Sequence, residues 1–202
     1  MRELDVLRRR YAARESGLLG ARRNFAVLVP FVELRGETHL IFEVRAQNVR
    51  QGGEVCFPGG AMEPGETPLR CALRETEEEL SIPAGEITVF GESDFLANQE
   101  NFLLRPVLGV VSEAGFQAIR PSKAEVAEVF TVPWRFFCDT PPQIWHYDLE
   151  AKVPADFPYE KVGISRDYPW RGGRVSVPIW EYGGRVIWGM TGRILRDLTK
   201  EQ

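Results

Sequence analysis

Several things are scarce in this chain of 202 residues, and each scarcity narrows what it can be. The three cysteines, Cys56, Cys71 and Cys138, are odd in number and share no metal-ligand spacing, so neither a disulfide framework nor a thiolate metal site is expected; a reducing cytoplasm is the simpler setting. The two histidines, His39 and His146, have no partner spacing and are not expected to be catalytic. A formal net charge of -4 leaves no basic surplus of the kind nucleic-acid binding usually shows. No apolar run approaches the roughly 20 residues of a membrane helix. The opening MRELDVLRRRYAAR lacks the apolar core of a signal peptide, and the closing KEQ is not a peroxisomal signal. The expectation is a soluble cytoplasmic protein, monomer or homodimer, with neither nucleic acid nor membrane as partner.

What is present is an ordinary globular composition, 44% hydrophobic and 27% charged, with length enough for a proper core. Leu4, Leu7 and Tyr11 fall at helical spacing among the arginines Arg8 to Arg10, whose charge is expected on a solvated face. Strands are expected at 25–34 and 39–45, with a short third at 54–57, then at 86–96 and 102–112 around the turn NQEN. VAEVFTVPWRFF reads as a strand running into Pro133. Residues 139–173, rich in proline, glycine and aromatics, read as an irregular insertion; its aromatics Trp145, Tyr147, Phe157, Tyr159, Tyr168 and Trp170 are expected to pin it to the body. A strand pair turning at Gly183-Gly184 follows, then a helix with Thr191 as N-cap and Ile194, Leu195 and Leu198 on its buried side. The sum is one mixed α/β domain spanning 1–202.

The segment FPGGAMEPGETPLRCALRETEEELSI breaks local rules. Thr67 is a suitable N-cap and Pro68 a suitable first helical residue. At 100° per residue, Leu69, Leu73, Thr76 and Leu80 share a stripe expected to face the core. Glu75, Glu78 and Glu79 share another face, repel one another, and crowd the helix end that favours cations. Only Arg74 is placed to answer them, through Glu77 or Glu78. Such uncompensated breaks occur at functional sites. Beside the carboxylates, Pro58-Gly59-Gly60 forms a turn where backbone can approach a ligand closely. Carboxylate and carbonyl oxygens suit a hard dication, so the missing partner is expected to be Mg²⁺ or Mn²⁺.

The spacing Gly60, five residues, Glu66, seven residues, Arg74-Glu75-Thr76-Glu77-Glu78-Glu79 resembles the Nudix box, GX5EX7REUXEEXGU, over 23 residues. Two positions depart from it: Thr76 stands at a bulky aliphatic position and Ser81 at the second glycine. Upstream, IFEVRAQNVRQGGEVCFPGG resembles the coenzyme A pyrophosphatase signature LLTxR[SA]x3Rx3Gx3FPGG at Arg45, Ala46, Arg50, Gly53 and Phe57 to Gly60, with one residue fewer between Arg50 and Gly53 and IFE in place of LLT. RPVLGVV, EVAEVFTVPWRFF and RVIWGMTGRIL also look like that subgroup, leaving 139–173 unmatched.

The resemblance implies an α/β/α Nudix sandwich built on a mixed sheet. It further implies metal-dependent hydrolysis of coenzyme A or its thioesters to 3′,5′-ADP and 4′-phosphopantetheine or its acyl form. Glu75 and Glu79 would be metal ligands, Glu78 a third ligand or a water-orienting base, and the Gly59 carbonyl a further ligand. Glu66 would pair with Arg74. The general base would be Glu78 or a later acid, Glu100, Glu125 or Glu128, and Arg45 and Arg50 would face phosphate. Two alternatives stand beside this reading: a Nudix hydrolase of another nucleoside diphosphate derivative such as ADP-ribose, and a non-catalytic nucleotide-binding module.

Overall fold

The computed structural model describes residues 3–12, 20, 23–97 and 102–200. Helix α1 (Glu3–Tyr11) is followed by β1 (Arg23–Leu34), β2 (Glu37–Arg45), β3 (Val55–Cys56), β4 (Gly59–Ala61) and α2 (Pro68–Leu80). Next come β5 (Ile87–Glu92), β6 (Leu96–Ala97), β7 (Phe102–Val111), α3 (Glu113–Gln117), β8 (Val126–Pro133) and α4 (Trp134–Asp139). The chain continues through β9 (Gln143–Leu149), α5 (Tyr159–Val162), β10 (Gly173–Tyr182), β11 (Arg185–Ile187) and α6 (Gly189–Leu198).

Strands β1 to β8 form one mixed sheet with the order β3-β2-β1-β7-β5, to which β4, β6 and β8 add at β1, β7 and β2. β1 and β7 run parallel from Arg23↔Phe102 to Val32↔Val111, and their neighbours pair antiparallel. Side chains alternate across the sheet as the pleat requires. Ala26, Leu28, Val32 and Ile41 face one core with Cys71, Ala72 and Leu80 of α2. Val29, Leu40 and Phe42 face the other, with Phe137 of α4, Trp180 of β10 and Ile194 and Leu195 of α6. Helices therefore cover both faces of a mixed sheet, the expected sandwich. In the second core Phe42 stacks between Phe57 and Phe130, with ring centroids 4.9 and 5.5 Å away.

Several expectations need correction. Residues 139–173 are not irregular throughout: β9 pairs antiparallel with β10 over seven residues, and α5 lies in the connection between them. β9 escaped notice because Gln143 to Asp148 are all exposed, which leaves no alternation of burial to read. Among the described residues, the ring contacts of this region's aromatics run within the region itself. Phe157, Tyr159, Tyr168 and Trp170 pack on one another at 5.0–5.3 Å, while Trp145 stands 64% exposed. Thr191 is not an N-cap. α6 starts two residues earlier, and the buried Thr191 hydroxyl donates to the Val55 carbonyl of β3 at 3.2 Å.

The strand expected at 86–96 is β5 plus the two-residue β6, and the short third strand is confined to Val55–Cys56. α1 forms, but Leu4, Leu7 and Tyr11 are exposed. The turn NQEN lies outside the described residues. Among the described residues, no helix is long and apolar enough to cross a membrane.

Candidate active site

α2 begins as its sequence dictates. Thr67 has extended dihedrals and its Oγ1 accepts the Arg70 amide at 3.3 Å, with Pro68 in the first turn. Its buried side is set by Cys71, Ala72, Thr76 and Leu80, each with no exposed surface. The small Cys71 and Ala72 allow close approach to the sheet, while Leu69, expected in that stripe, is 38% exposed. Thr76 is accommodated at an apolar position because its hydroxyl donates to the Ala72 carbonyl one turn back, at 2.7 Å. Ser81 ends the helix in the left-handed conformation, φ 60° and ψ 30°, where glycine would be unstrained. Its Oγ donates to the Arg120 carbonyl at 2.9 Å, a contact glycine could not make.

The glycine turn and the helix meet directly. β4 pairs with β1 through Val27↔Gly59, Ala26↔Gly60 and Phe25↔Ala61. The Gly59 amide turns away from β1 and donates to Glu79 Oε2 at 2.8 Å. With φ at +152° and a hypothetical Cβ 2.3 Å from the Ala26 carbonyl oxygen, position 59 admits glycine alone. A Cβ on Gly60 would stand 2.4 Å from the Glu75 carboxyl carbon. The backbone of β4 and the Glu75 and Glu79 carboxylates of α2 thus form one wall.

The three box carboxylates are not equivalent. Glu79 is 4% exposed, Glu75 half-buried and Glu78 exposed. Arg74 binds Glu75 Oε1 at 2.8 Å, Glu78 Oε2 at 3.2 Å and Glu66 Oε1 at 3.0 Å, and donates to the Ala61 carbonyl at 3.2 Å. Arg74 therefore pairs with Glu66, as the resemblance implied, and answers Glu75 and Glu78 but not Glu77. Its hydrogen bonds hold the Glu66 carboxyl down at about 2. Burial instead raises the carboxyls of Glu75 and Glu79, the latter to about 8 with the Glu43 charge as the next cause.

Glu43 is the residue that sequence reasoning missed. It shares the sheet face of Ile41, beneath α2, and is 1% exposed. Oε1 accepts the Cys56 thiol at 3.2 Å, and burial pushes the Glu43 carboxyl up to about 7. The available signal was a glutamate at a core-facing position of the strand HLIFEVR.

The remaining expected residues lie at varied distances from this wall. Arg45 follows Glu43 on the same sheet face; its Nε donates to the Arg50 carbonyl at 3.0 Å, and its charge reaches Glu43 and Glu79. Arg50 sits exposed on the loop that Arg45 holds. Glu125 is exposed at the start of β8, its carbonyl accepts the Ala46 amide at 2.7 Å, and its charge acts on Glu43 and Glu75. Glu128 is instead engaged by Arg185. Glu100 lies outside the described residues. A cavity of about 410 Å³ between β6, β10 and α6, lined by Asp94, Arg174, Arg193 and Arg196, includes none of the box residues.

Among the described residues, no three His, Cys, Asp or Glu side chains converge on one point as a metal-binding set does. Glu75 and Glu78 turn to Arg74 and Glu79 to Gly59. The donor chemistry nevertheless suits a hard dication: several carboxylates beside a glycine turn, and a buried oxygen, Glu43 Oε2, with no hydrogen-bond partner.

The sequence matches the NUDIX domain family over residues 22–141. It is 36% identical over 136 residues to the peroxisomal coenzyme A diphosphatase NUDT7 of Mus musculus, covering 66% of this chain and 56% of that one. It is 31% identical over 192 residues to the mitochondrial coenzyme A diphosphatase NUDT8 of Homo sapiens, covering 92% and 72%. The chain thus spans little more than half the length of the mouse relative. Among solved structures, a Nudix hydrolase from M. Smegmatis, RenU, superposes with a TM-score of 0.50 at 25% identity, covering 58% of this chain and 74% of that one. With the box spacing, the sandwich and more than half the chain matched, this protein belongs to the Nudix family.

Proposed function

We propose that this chain hydrolyses the diphosphate linkage of coenzyme A or its thioesters, releasing 3′,5′-ADP and 4′-phosphopantetheine or its acyl form. The observation that carries this reading is the wall formed by Gly59, Gly60, Glu75 and Glu79, with Arg74 holding the neighbouring carboxylates. The FPGG context and the similarity to two coenzyme A diphosphatases point to the substrate.

Glu75, Glu79 and Glu78, with the Gly59 carbonyl, would hold Mg²⁺ or Mn²⁺. When bound, the ion supplies neutralisation of the diphosphate charge. The residues of the chain supply position. Arg74 tethers Glu75 and Glu78 to one guanidinium through shared hydrogen bonds. Glu78 or Glu125 takes a proton from the attacking water as its oxygen bonds to phosphorus. The anhydride P–O bond breaks, and its electron pair leaves with the departing phosphate. Arg45 and Arg50 face the phosphates of the substrate, where a guanidinium can bind two oxygens at once.

Incubation with coenzyme A in ¹⁸O-labelled water, with Mg²⁺ or Mn²⁺, tests this reading. The expected products are 3′,5′-ADP and 4′-phosphopantetheine with one label between them. Intact coenzyme A beside rapid turnover of ADP-ribose would reassign the substrate. Inactivity toward every diphosphate would leave a nucleotide-binding module.

A further inference from the structure

Glu43 is an acid where folding alone disfavours one. It lies on β2 between Phe42 and Val44, on the face that carries Ile41 and packs beneath α2. Across the ladders its partners are Cys56 of β3 and Val129 of β8, so strands enclose it on both sides. The thiol of Cys56 fixes Oε1 at 3.2 Å. Oε2 is buried with no hydrogen-bond partner among the described residues, an arrangement proteins avoid because the oxygen has lost water and gained nothing.

Its surroundings say what is missing. Of the charged groups around Glu79, Glu43 acts on it most strongly, and Glu125 and Glu75 bear on Glu43 in turn. Arg45 is the positive charge that reaches both Glu43 and Glu79, and its Nε is already engaged by the Arg50 carbonyl. A proton shared by Glu43 and Glu79 would answer one negative charge of the group, and a water molecule none. A dication answers two and takes the orphaned oxygen as a donor.

We propose that Glu43 is an oxygen ligand of the same divalent cation that Glu79 holds, presenting Oε2 to it while the Cys56 thiol anchors Oε1. This rests on the cation-dependent reading of the site and extends it to a strand residue outside the box. The signature this chain resembles carries threonine at that place, so the added carboxylate belongs to this chain's own version of the site. Its consequence is affinity: the protein takes up Mn²⁺ before any nucleotide arrives.

Calorimetric titration of Mn²⁺ into the full chain at pH 8 without nucleotide, for wild type, Glu43→Gln, Glu43→Thr and Glu79→Gln, tests this. Both Glu43 variants are expected to bind Mn²⁺ at least about tenfold more weakly, and to lose most of the Mn²⁺-induced rise in Tm. Without cation the Tm of Glu43→Gln should equal or exceed that of wild type, since a buried acid has been removed; Glu43→Thr decides the matter if Glu43→Gln does not fold. Wild-type Mn²⁺ affinity in the Glu43 variants, with binding lost in Glu79→Gln, would overturn the role of Glu43 and leave the cation reading standing. No uptake by wild type would overturn both.

Discussion

Gly60 lies so close to Glu75 that a methyl group on its Cα would stand 2.4 Å from the Glu75 carboxyl carbon. The obstructing atoms are the far end of a flexible side chain, so Gly60→Ala should displace the carboxylate and spare the backbone. Its Tm should stay near that of wild type while kcat falls on the order of 100-fold, the scale of an ångström-level misplacement at a reacting centre. Gly59→Ala should behave oppositely, because its new Cβ meets the Ala26 carbonyl at 2.3 Å from a φ of +152°. There Tm itself should drop. Thermal melts and kinetics on the two variants separate the cases.

Arg74 joins Glu66 at the helix entrance to Glu75 and Glu78 one turn along. Arg74→Ala should lower Tm at pH 7 by on the order of a few degrees. Glu66, held down at about 2, contributes stability above its unfolded value, and that contribution disappears as pH falls toward 2. The gap between wild type and variant should therefore narrow in strong acid. A gap independent of pH would mean that Arg74 stabilises through packing of its stem.

Burial raises Glu43 to about 7 and Glu79 to about 8. A carboxyl whose folded pKa exceeds its unfolded one leaves the folded state binding more protons, so stability falls as pH rises. That contribution is complete below about 4.5 and is lost through pH 7 to 8. Protein held in chelator should accordingly be less stable at pH 8 than at pH 5, by on the order of a few kcal/mol. Excess Mg²⁺ or Mn²⁺ should flatten the slope. Denaturant midpoints across that range measure it.

Ser81 sits in left-handed backbone, yet its hydroxyl reaches the Arg120 carbonyl. Ser81→Ala keeps the strain and loses the bond, so it should cost about 1 kcal/mol. Ser81→Gly loses the bond but relieves the strain, and should lie within about 0.5 kcal/mol of wild type. Equal destabilisation in both would show that the bond, and not the strain, dominates.

Much of this was legible in the sequence because its signals are local. Thr67, Pro68 and the glutamate spacing define α2 within one segment, and the apolar runs of β1, β2 and β7 declare themselves by composition. What escaped depends on partners far along the chain. Thr191 resembles a cap until Val55, 136 residues away, claims its hydroxyl. β9 owes its existence to β10 across an intervening connection, and its exposed residues carry no periodic trace. The inner face of α2 shifted from Leu69 toward Cys71 and Ala72 because β4 lies close against it, a proximity no helical wheel contains. Glu43 reads in the sequence as one charge within an apolar strand, since its meaning comes from Glu79 and Cys56.

The parallel ladder of β1 with β7 also bears on how the molecule forms. Its ten paired positions join segments some 79 residues apart, as Arg23↔Phe102 and Val32↔Val111 show. The chain between them contains β4 and α2, so the wall they form lies within a long loop that must close. Closing such a loop is entropically opposed, and a ligand site drawn from β2, β4 and α2 together is expected to be complete only after the rate-limiting barrier. A ligand gripping that wall should then retard unfolding while leaving the refolding rate nearly unchanged, a partition that stopped-flow chevrons with and without Mn²⁺ would display.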